Sequence, residues 1–444
     1  MQFRRGSHES VVRRKVGYGH IISISLFLSG LLVSGTPVLG ATTLEVVTYQ
    51  GSWYAPYVQA RIEDFEAAHP GVDVKFYMLP NLPQRIIVES AGGVKRDVYL
   101  MGSIIGQQAH DILSRGLTLD LAPFLKKEKD MALEDFYPPL VEAFTYKGHL
   151  VGLPIEVSTQ ATYVNKTIFD EAGFPVPTEG WDWNDMLKIA RSVTKDTNND
   201  GVPELWGFSS DGYGLDYLGA SSFLWANGVD IVDRTRTRCT LDAPEVVEAL
   251  QFFYDLHYTH KVAVRPSDGA QWVRFWEGRV AIWESMSWNI SYNRQNAKKD
   301  VDWDIVPSLR SPKTGKAAPL VSGHIAAIAS TSTHPELAWE FIKFVFLSDE
   351  SQQQIAKLGM LPPRMKFGNF YVRNVGQPPA NIRPVLENAM HGGRTPVWFE
   401  DPEVDRNVWS AIARGWEDVM IAQQKSVYDF VQTIKPLVDT MLKK

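Results

Sequence analysis

Leu44-Glu45-Val46-Val47-Thr48 is rich in β-formers, and Val58, Ile62 and Phe65 then recur at the i, i+4, i+7 spacing of one helix face. His69-Pro70-Gly71 stops that helix before a second strand pattern, Val72-Asp73-Val74-Lys75-Phe76. Strands separated by a whole helix cannot close as a hairpin, so they pair in parallel through a crossover. This unit commits the chain to an α/β architecture. Asp97 to Leu100 adds a third short strand, and Gly116-Leu117-Thr118-Leu119-Asp120-Leu121-Ala122-Pro123 ends the segment with turn chemistry.

The pattern changes further on. From Tyr163 the chain is helix-rich: Trp183 to Val193 carries Met186, Leu187, Ala190 and Val193 on one face, and Pro244 to Leu256 carries Val247, Leu250 and Phe253. A second lobe therefore begins near residue 154. Val301 to Val306 and Ile325 to Ala329 are strand-like again, and Thr333-His334-Pro335-Glu336 reads as a capping box before a helix from Leu337 to Leu347. A final helical region covers roughly 404–442.

At 444 residues the chain exceeds one typical domain, and it shows no repeat or biased tract. A formal charge of −6, with basic residues scattered apart from the N-terminus and Arg234-Thr235-Arg236-Thr237-Arg238, argues against nucleic acid as a partner. Cys239 is the only cysteine, which excludes an intramolecular disulfide, a thiolate zinc cluster or an iron–sulfur site. The 14 tryptophans are high for this length and call for a use beyond packing.

Arg4, Arg5, Arg13, Arg14 and Lys15 precede an apolar run from Ile21 to Val33, and small residues follow to Gly40-Ala41. This is the pattern of a cleaved secretory signal peptide over residues 1–40; the run is short of the roughly 20 residues that span a bilayer. A retained anchor is the alternative. Removal takes away five basic residues and Glu9 and leaves the mature chain at about −10.

Read in order, several short segments resemble the bacterial extracellular solute-binding proteins of ABC sugar importers, the family that includes maltose-binding protein. They are Gly116-Leu117 through Asp120-Leu121, Leu153-Pro154, Tyr163-Val164-Asn165-Lys166 with Phe169 and Ala172-Gly173, and Trp181 opening a helix. Trp225-Ala226-Asn227-Gly228, Phe275 with Gly278-Arg279-Val280-Ala281-Ile282, Ala338-Trp339-Glu340-Phe341-Ile342 and Gly359-Met360-Leu361-Pro362 continue the series. The resemblance implies a two-lobed periplasmic-binding-protein fold of type II, with a hinge and an interlobe cleft. It divides the chain into lobe 1, residues 41–153 plus about 304–350, and lobe 2, about 154–303 plus 351–444. It also implies a periplasmic monomer that takes a carbohydrate and hands it to membrane permease subunits, without catalysis and without a resident cofactor.

A sugar offers weakly apolar ring faces and an edge of hydroxyls, so its site needs aromatic plates and fixed planar polar groups. Tyr49-Gln50-Gly51-Ser52-Trp53 leaves the first strand, where open α/β sheets place ligand groups, and nominates Gln50 and Trp53. Packing over the first helix is the alternative for Trp53. Ser103 follows the third strand in the same topological position, and Glu156, with Thr159-Gln160 beyond it, lies just past the Leu153-Pro154 crossing. Trp272, Trp276, Trp283 and Trp288 crowd around Phe275, with Trp272 and Trp276 assigned to the core and Trp283 and Trp288 to the ligand. Tyr213 and Tyr217 sit in a Gly-rich loop, Gly323 would let backbone approach a ligand, and His324 could hydrogen-bond a hydroxyl. Arg364 could fork onto a ligand oxygen, although a salt bridge is the commoner fate of such an arginine.

Asp196-Thr197-Asn198-Asn199-Asp200-Gly201 has the oxygen spacing and turn glycine of a calcium loop. Gly207 stands where the bidentate Glu belongs, and Glu204 is the nearest substitute, so Asp196, Asn198, Asp200 and Glu204 form the candidate ligand set for a structural calcium. The competing functional class is a secreted glycosidase, which needs two carboxylates in defined separation. HExxH, GxSxG and GxxxxGK[ST] motifs are missing from the sequence. Di- or oligosaccharide is favoured by the many aromatic plates, with a polyol or glycerol phosphate ester as alternative ligands.

Overall fold

The computed structural model describes residues 41–102, 107–215, 218–233, 235–396 and 401–443, so residues 1–40, where a signal peptide is expected, lie outside the described residues. Ala41–Lys444 forms one compact unit.

The opening strand–helix–strand reads through directly. Strand β1 (Thr42–Tyr49) pairs in parallel with β2 (Val72–Leu79), and helix α1 (Ala55–Ala68) crosses between them. Val58, Ile62 and Phe65 are the buried face of α1. Strand β3 (Val98–Met101) runs parallel to β1 on its other side, with four buried residues in succession, as a covered parallel sheet requires.

The chain then passes from β4 (Leu153–Pro154) to β5 (Ser158–Asn165), all of whose residues are buried. Helix α2 (Trp183–Val193) is capped by Asp182, whose carboxylate accepts from the backbone of Asn184 and Asp185. It leads to β6 (Trp206–Ser210), helix α3 (Pro244–Tyr258), β7 (Val280–Met286), helix α4 (Asn289–Asn296) and β8 (Trp303–Val306). The second sheet has the order β8-β5-β7-β6. Because β8 pairs with β5 along Trp303 to Val306, the chain is still in the second lobe at residue 304, where a return to the first had been expected.

The return comes later, through β9 (Val321–Ser322), which pairs with β5, and β10 (Ile325–Ile328), which completes the first sheet as β2-β1-β3-β10-β4. Helix α5 (Pro335–Ile342) follows, with His334 at its N-cap and no side-chain cap bond. The expected capping box does not form, since the helix starts at Pro335 and leaves Thr333 one residue outside it. Residues past 350 do not all join lobe 2 either. Arg364 is held by Asp130, Leu347 and Asp349, which belong with the first sheet's surroundings. Helices α6 (Pro402–Met420) and α7 (Val427–Met441) pack on the second core through Val408, Ile412, Trp416, Phe430 and Ile434.

Candidate functional site

Two antiparallel runs of chain join the sheets side by side. On one, β4 continues through Ile155-Glu156-Val157 into β5; on the other, β9 continues through Gly323-His324 into β10, with Ser158 opposite Ser322 and Pro154 opposite Ile325. A third crossing touches them where Val157 N–H donates to Leu361 O at 2.8 Å. Few backbone bonds hold a ribbon of this kind, and small φ/ψ changes in it swing whole lobes, which is how hinges are built.

The ladder is interrupted between the two pairs, and the gap holds the polar centre of the site. Glu156, 3% exposed, turns its carboxylate back onto the opposite strand, where Oε1 accepts from the His324 backbone N–H at 2.9 Å and stands 2.6 Å from His324 Nδ1. Gly323 is required here, but not for a ligand. A Cβ at this position would lie 2.5 Å from Glu156 O, so its close approach is to the neighbouring strand.

Aromatic rings surround the imidazole. Tyr49, the last residue of β1, brings Oη to 3.0 Å from His324 Nε2 and lies nearly parallel to that ring. Trp53 meets His324 edge-on at 6.0 Å between centroids and Tyr54 at 5.3 Å. Burial pushes the Tyr49 hydroxyl up to about 12, and the negative charges of Glu156 and an ionised Tyr292 add to the effect. Tyr292 is on α4, which follows the second sheet's β7, so charge from the second lobe also acts on the Tyr49 hydroxyl. Trp288 stands at the N-cap of α4, half-buried, and packs against both hydrophobic cores. Gln50 is exposed beside Tyr49, its N–H bonded to Leu79 O.

Gln50, Trp53, Glu156 and His324 are thus brought together at the carboxyl end of β1 and the crossing, and Trp288 lies between the cores. Tyr49 was overlooked as a site residue, although its place at the strand's carboxyl end was the available signal. Ser103 and Tyr217 lie outside the described residues.

Four other expectations are corrected. Trp283 is fully buried, with one side on Tyr163 at 5.2 Å and another on Phe275 at 5.1 Å, so it is core and offers no plate to a ligand. Conversely Trp272, assigned to the core, is 42% exposed. Arg364 is 1% exposed and spends its guanidinium on Leu347 O, Asp349 and Asp130 O, tying loop to helix. Tyr213 donates to Val264 O at 3.1 Å and meets the His257 ring edge-on, within the second lobe.

Besides the buried Glu284, which accepts from Gln160 Nε2 at 2.7 Å and Thr162 Oγ1 at 2.6 Å, the second sheet carries a polar centre that sequence reading missed. Asp211, immediately after β6, accepts from Trp283 Nε1 at 2.7 Å, from Ser285 Oγ and from Asn289 Nδ2 at 3.3 Å. Its burial without a cationic partner among the described residues pushes its carboxyl up to about 7. Asn289 is the first residue of α4, so this network ties the start of that helix to β7 and to the end of β6.

The proposed calcium ligands lie in an exposed loop closed by its own bonds: Gly201 N–H to Asp196, Val202 N–H to Asp200, and Thr197 N–H to Glu204. Among the described residues no three His, Cys, Asp or Glu side chains converge as metal ligands would. No helix of those residues is long and apolar enough to cross a membrane.

Two α/β lobes joined by crossing strands, with rings and hydrogen-bonding groups gathered at the crossing, define a hinged binding protein. The chain belongs to the bacterial extracellular solute-binding protein family, whose model matches residues 60–369. A binding protein of Brucella abortus is 24% identical over 403 residues, covering 87% of this chain and 92% of the relative. The maltotriose-binding protein of Pyrococcus abyssi is 26% identical over 309 residues, 68% of this chain and 62% of that one. Among solved structures, an ABC substrate-binding protein from Listeria monocytogenes in complex with cycloalternan superposes with a TM-score of 0.74 at 20% identity, covering 91% of this chain and 99% of the other.

Proposed function

We propose that this chain is the exported solute-binding component of an ABC importer and that it captures a sugar, of di- or oligosaccharide size, between its lobes. The observation that carries this reading is the cluster at the crossing, where the Trp53 and Tyr49 rings, the Glu156–His324 pair and, toward the second lobe, Trp288 supply faces and edges for a pyranose. The maltotriose-binding relative supports the sugar class. A ligand that touches both lobes favours the closed form by its differential affinity for it, and the closed form is what the permease subunits would recognise. The signal peptide is removed near Gly40-Ala41, and the mature protein acts as a periplasmic monomer that binds its sugar without turning it over.

Purified residues 41–444 melted in the presence of a sugar and polyol panel test this reading. A ligand at about 100 times its Kd adds about 2.7 kcal/mol, so a true ligand raises the melting temperature by several degrees. Hydrolysis of chromogenic glycosides with no such shift would refute binding as the function and return the chain to the glycosidase class.

A further inference from the structure

The Glu156–His324–Tyr49 chain has a direction. Glu156 Oε1 faces two nitrogens of one residue, the His324 backbone N–H at 2.9 Å and Nδ1 at 2.6 Å. The first contact requires an acceptor at Oε1, and an ionised carboxylate can only accept. A proton shared between a carboxylate and an imidazole rests on the stronger base, so Nδ1 carries it. In the neutral ring Nε2 is then the bare nitrogen, and at 3.0 Å from Tyr49 Oη it must receive the hydroxyl proton. This leaves Tyr49 Oη, at the carboxyl end of β1, with lone pairs only.

We propose that Glu156, acting through His324, fixes the Tyr49 hydroxyl as a hydrogen-bond acceptor in the cleft, which makes Tyr49 a specificity-determining contact for a ligand hydroxyl and turns anionic groups away from that position. This deepens the sugar-binding reading and rests on it for the ligand class. A pyranose hydroxyl satisfies the oxygen by donating to it. A phosphate or carboxylate would set lone pairs against lone pairs beside the buried Glu156 carboxylate, a placement penalised at this low exposure. The inference therefore selects neutral sugars over sugar acids and phosphate esters. Glu156 and His324 are positioning residues in this scheme.

The test reads the tautomer without any ligand. Histidine-15N-labelled residues 41–444 at pH 8 report which ring nitrogen is protonated through long-range proton–nitrogen couplings, and His324→Gln assigns the signal by removing it. The expected result is a protonated Nδ1 and a bare Nε2. Glu156→Gln, whose amide oxygen must still face the His324 backbone N–H, leaves the proton on Nδ1, as does Tyr49→Phe, whereas Glu156→Leu removes the acceptor and lets the proton move to Nε2. Protonated Nε2 in the unsubstituted protein would overturn the proposal. A second measurement uses any neutral sugar that raises the melting temperature in the panel: Tyr49→Phe and Glu156→Leu each weaken its binding about five- to tenfold, while Glu156→Gln leaves it near the parent value. Glucose 6-phosphate and glucuronic acid at the same concentration give no shift; an equal shift from either would refute the selection against anions. A protonated Nδ1 with silence across the sugar panel would uphold the polarity and sink the sugar reading alone.

Discussion

Replacing Asp211 by Asn removes a buried ionisation while keeping shape, and the structure gives its size and sign. Burial raises the Asp211 carboxyl from 3.8 to about 7. The unfolded chain thus releases the proton near pH 4, whereas the folded chain holds it until about pH 7. The folded state is favoured fully below pH 4, and that advantage is lost as pH rises to 7. At about 1.4 kcal/mol for each pH unit between the two values, the loss is on the order of 4 kcal/mol, of which about 2–3 kcal/mol falls between pH 5 and pH 8. Asn stays neutral throughout. Its Oδ1 can accept from Trp283 Nε1 and its Nδ2 can donate to Ser285 Oγ once that hydroxyl turns, while the 3.3 Å contact from Asn289 Nδ2 is lost, an offset that does not vary with pH. Urea unfolding of both proteins at pH 5, 6, 7 and 8, followed by tryptophan fluorescence, should show Asp211→Asn gaining about 2–3 kcal/mol on the parent over this range. The comparison cancels His257, whose buried ring is pushed down to about 4 and titrates identically in both chains. A difference that stays constant with pH would refute the reasoning, because it would mean that Asp211 ionises alike in folded and unfolded chains.

Other outcomes follow from the same geometry. Trp53→Ala and Trp288→Ala should each reduce the affinity for the sugar found in the melting panel by at least tenfold in calorimetric titration, with little loss of fold, since both rings are only half-buried. Trp283→Ala should instead lower stability by about 3–5 kcal/mol in denaturant unfolding, as expected for a fully buried tryptophan. Arg364→Ala leaves Leu347 O and Asp130 O without their donor and should cost about 3 kcal/mol in the same assay; retained sugar affinity in the folded fraction separates this role from ligand binding. Gly323→Ala forces a Cβ against Glu156 O and should lower the melting temperature by several degrees, and an unchanged value would show that the crossing strands yield freely.

The sequence by itself determined what local pattern can encode. The β1–α1–β2 unit, the α2 and α3 faces, and the crossing near Leu153-Pro154 were all legible, because side-chain periodicity and breakers act within a few residues. Its limits show at residue 304. The strand there was legible as a strand, yet nothing local says whether Trp303–Val306 lies beside β5 or in the first sheet; register across 140 residues is settled only by packing. The site followed the same division. Glu156, His324 and Trp53 were nominated from position along the chain, but Trp283 and Trp288, five residues apart, could not be told apart. One points into a core shared with Tyr163 and Phe275, and the other caps a helix between two cores. Gly323 was recognised as a place of close approach, while the partner, Glu156 O, is 167 residues away in sequence. The direction of the Tyr49 hydroxyl depends on three side chains from three separate strands or strand ends. It exists only once the fold has excluded water from Glu156, because only then must each proton between these groups have a single place.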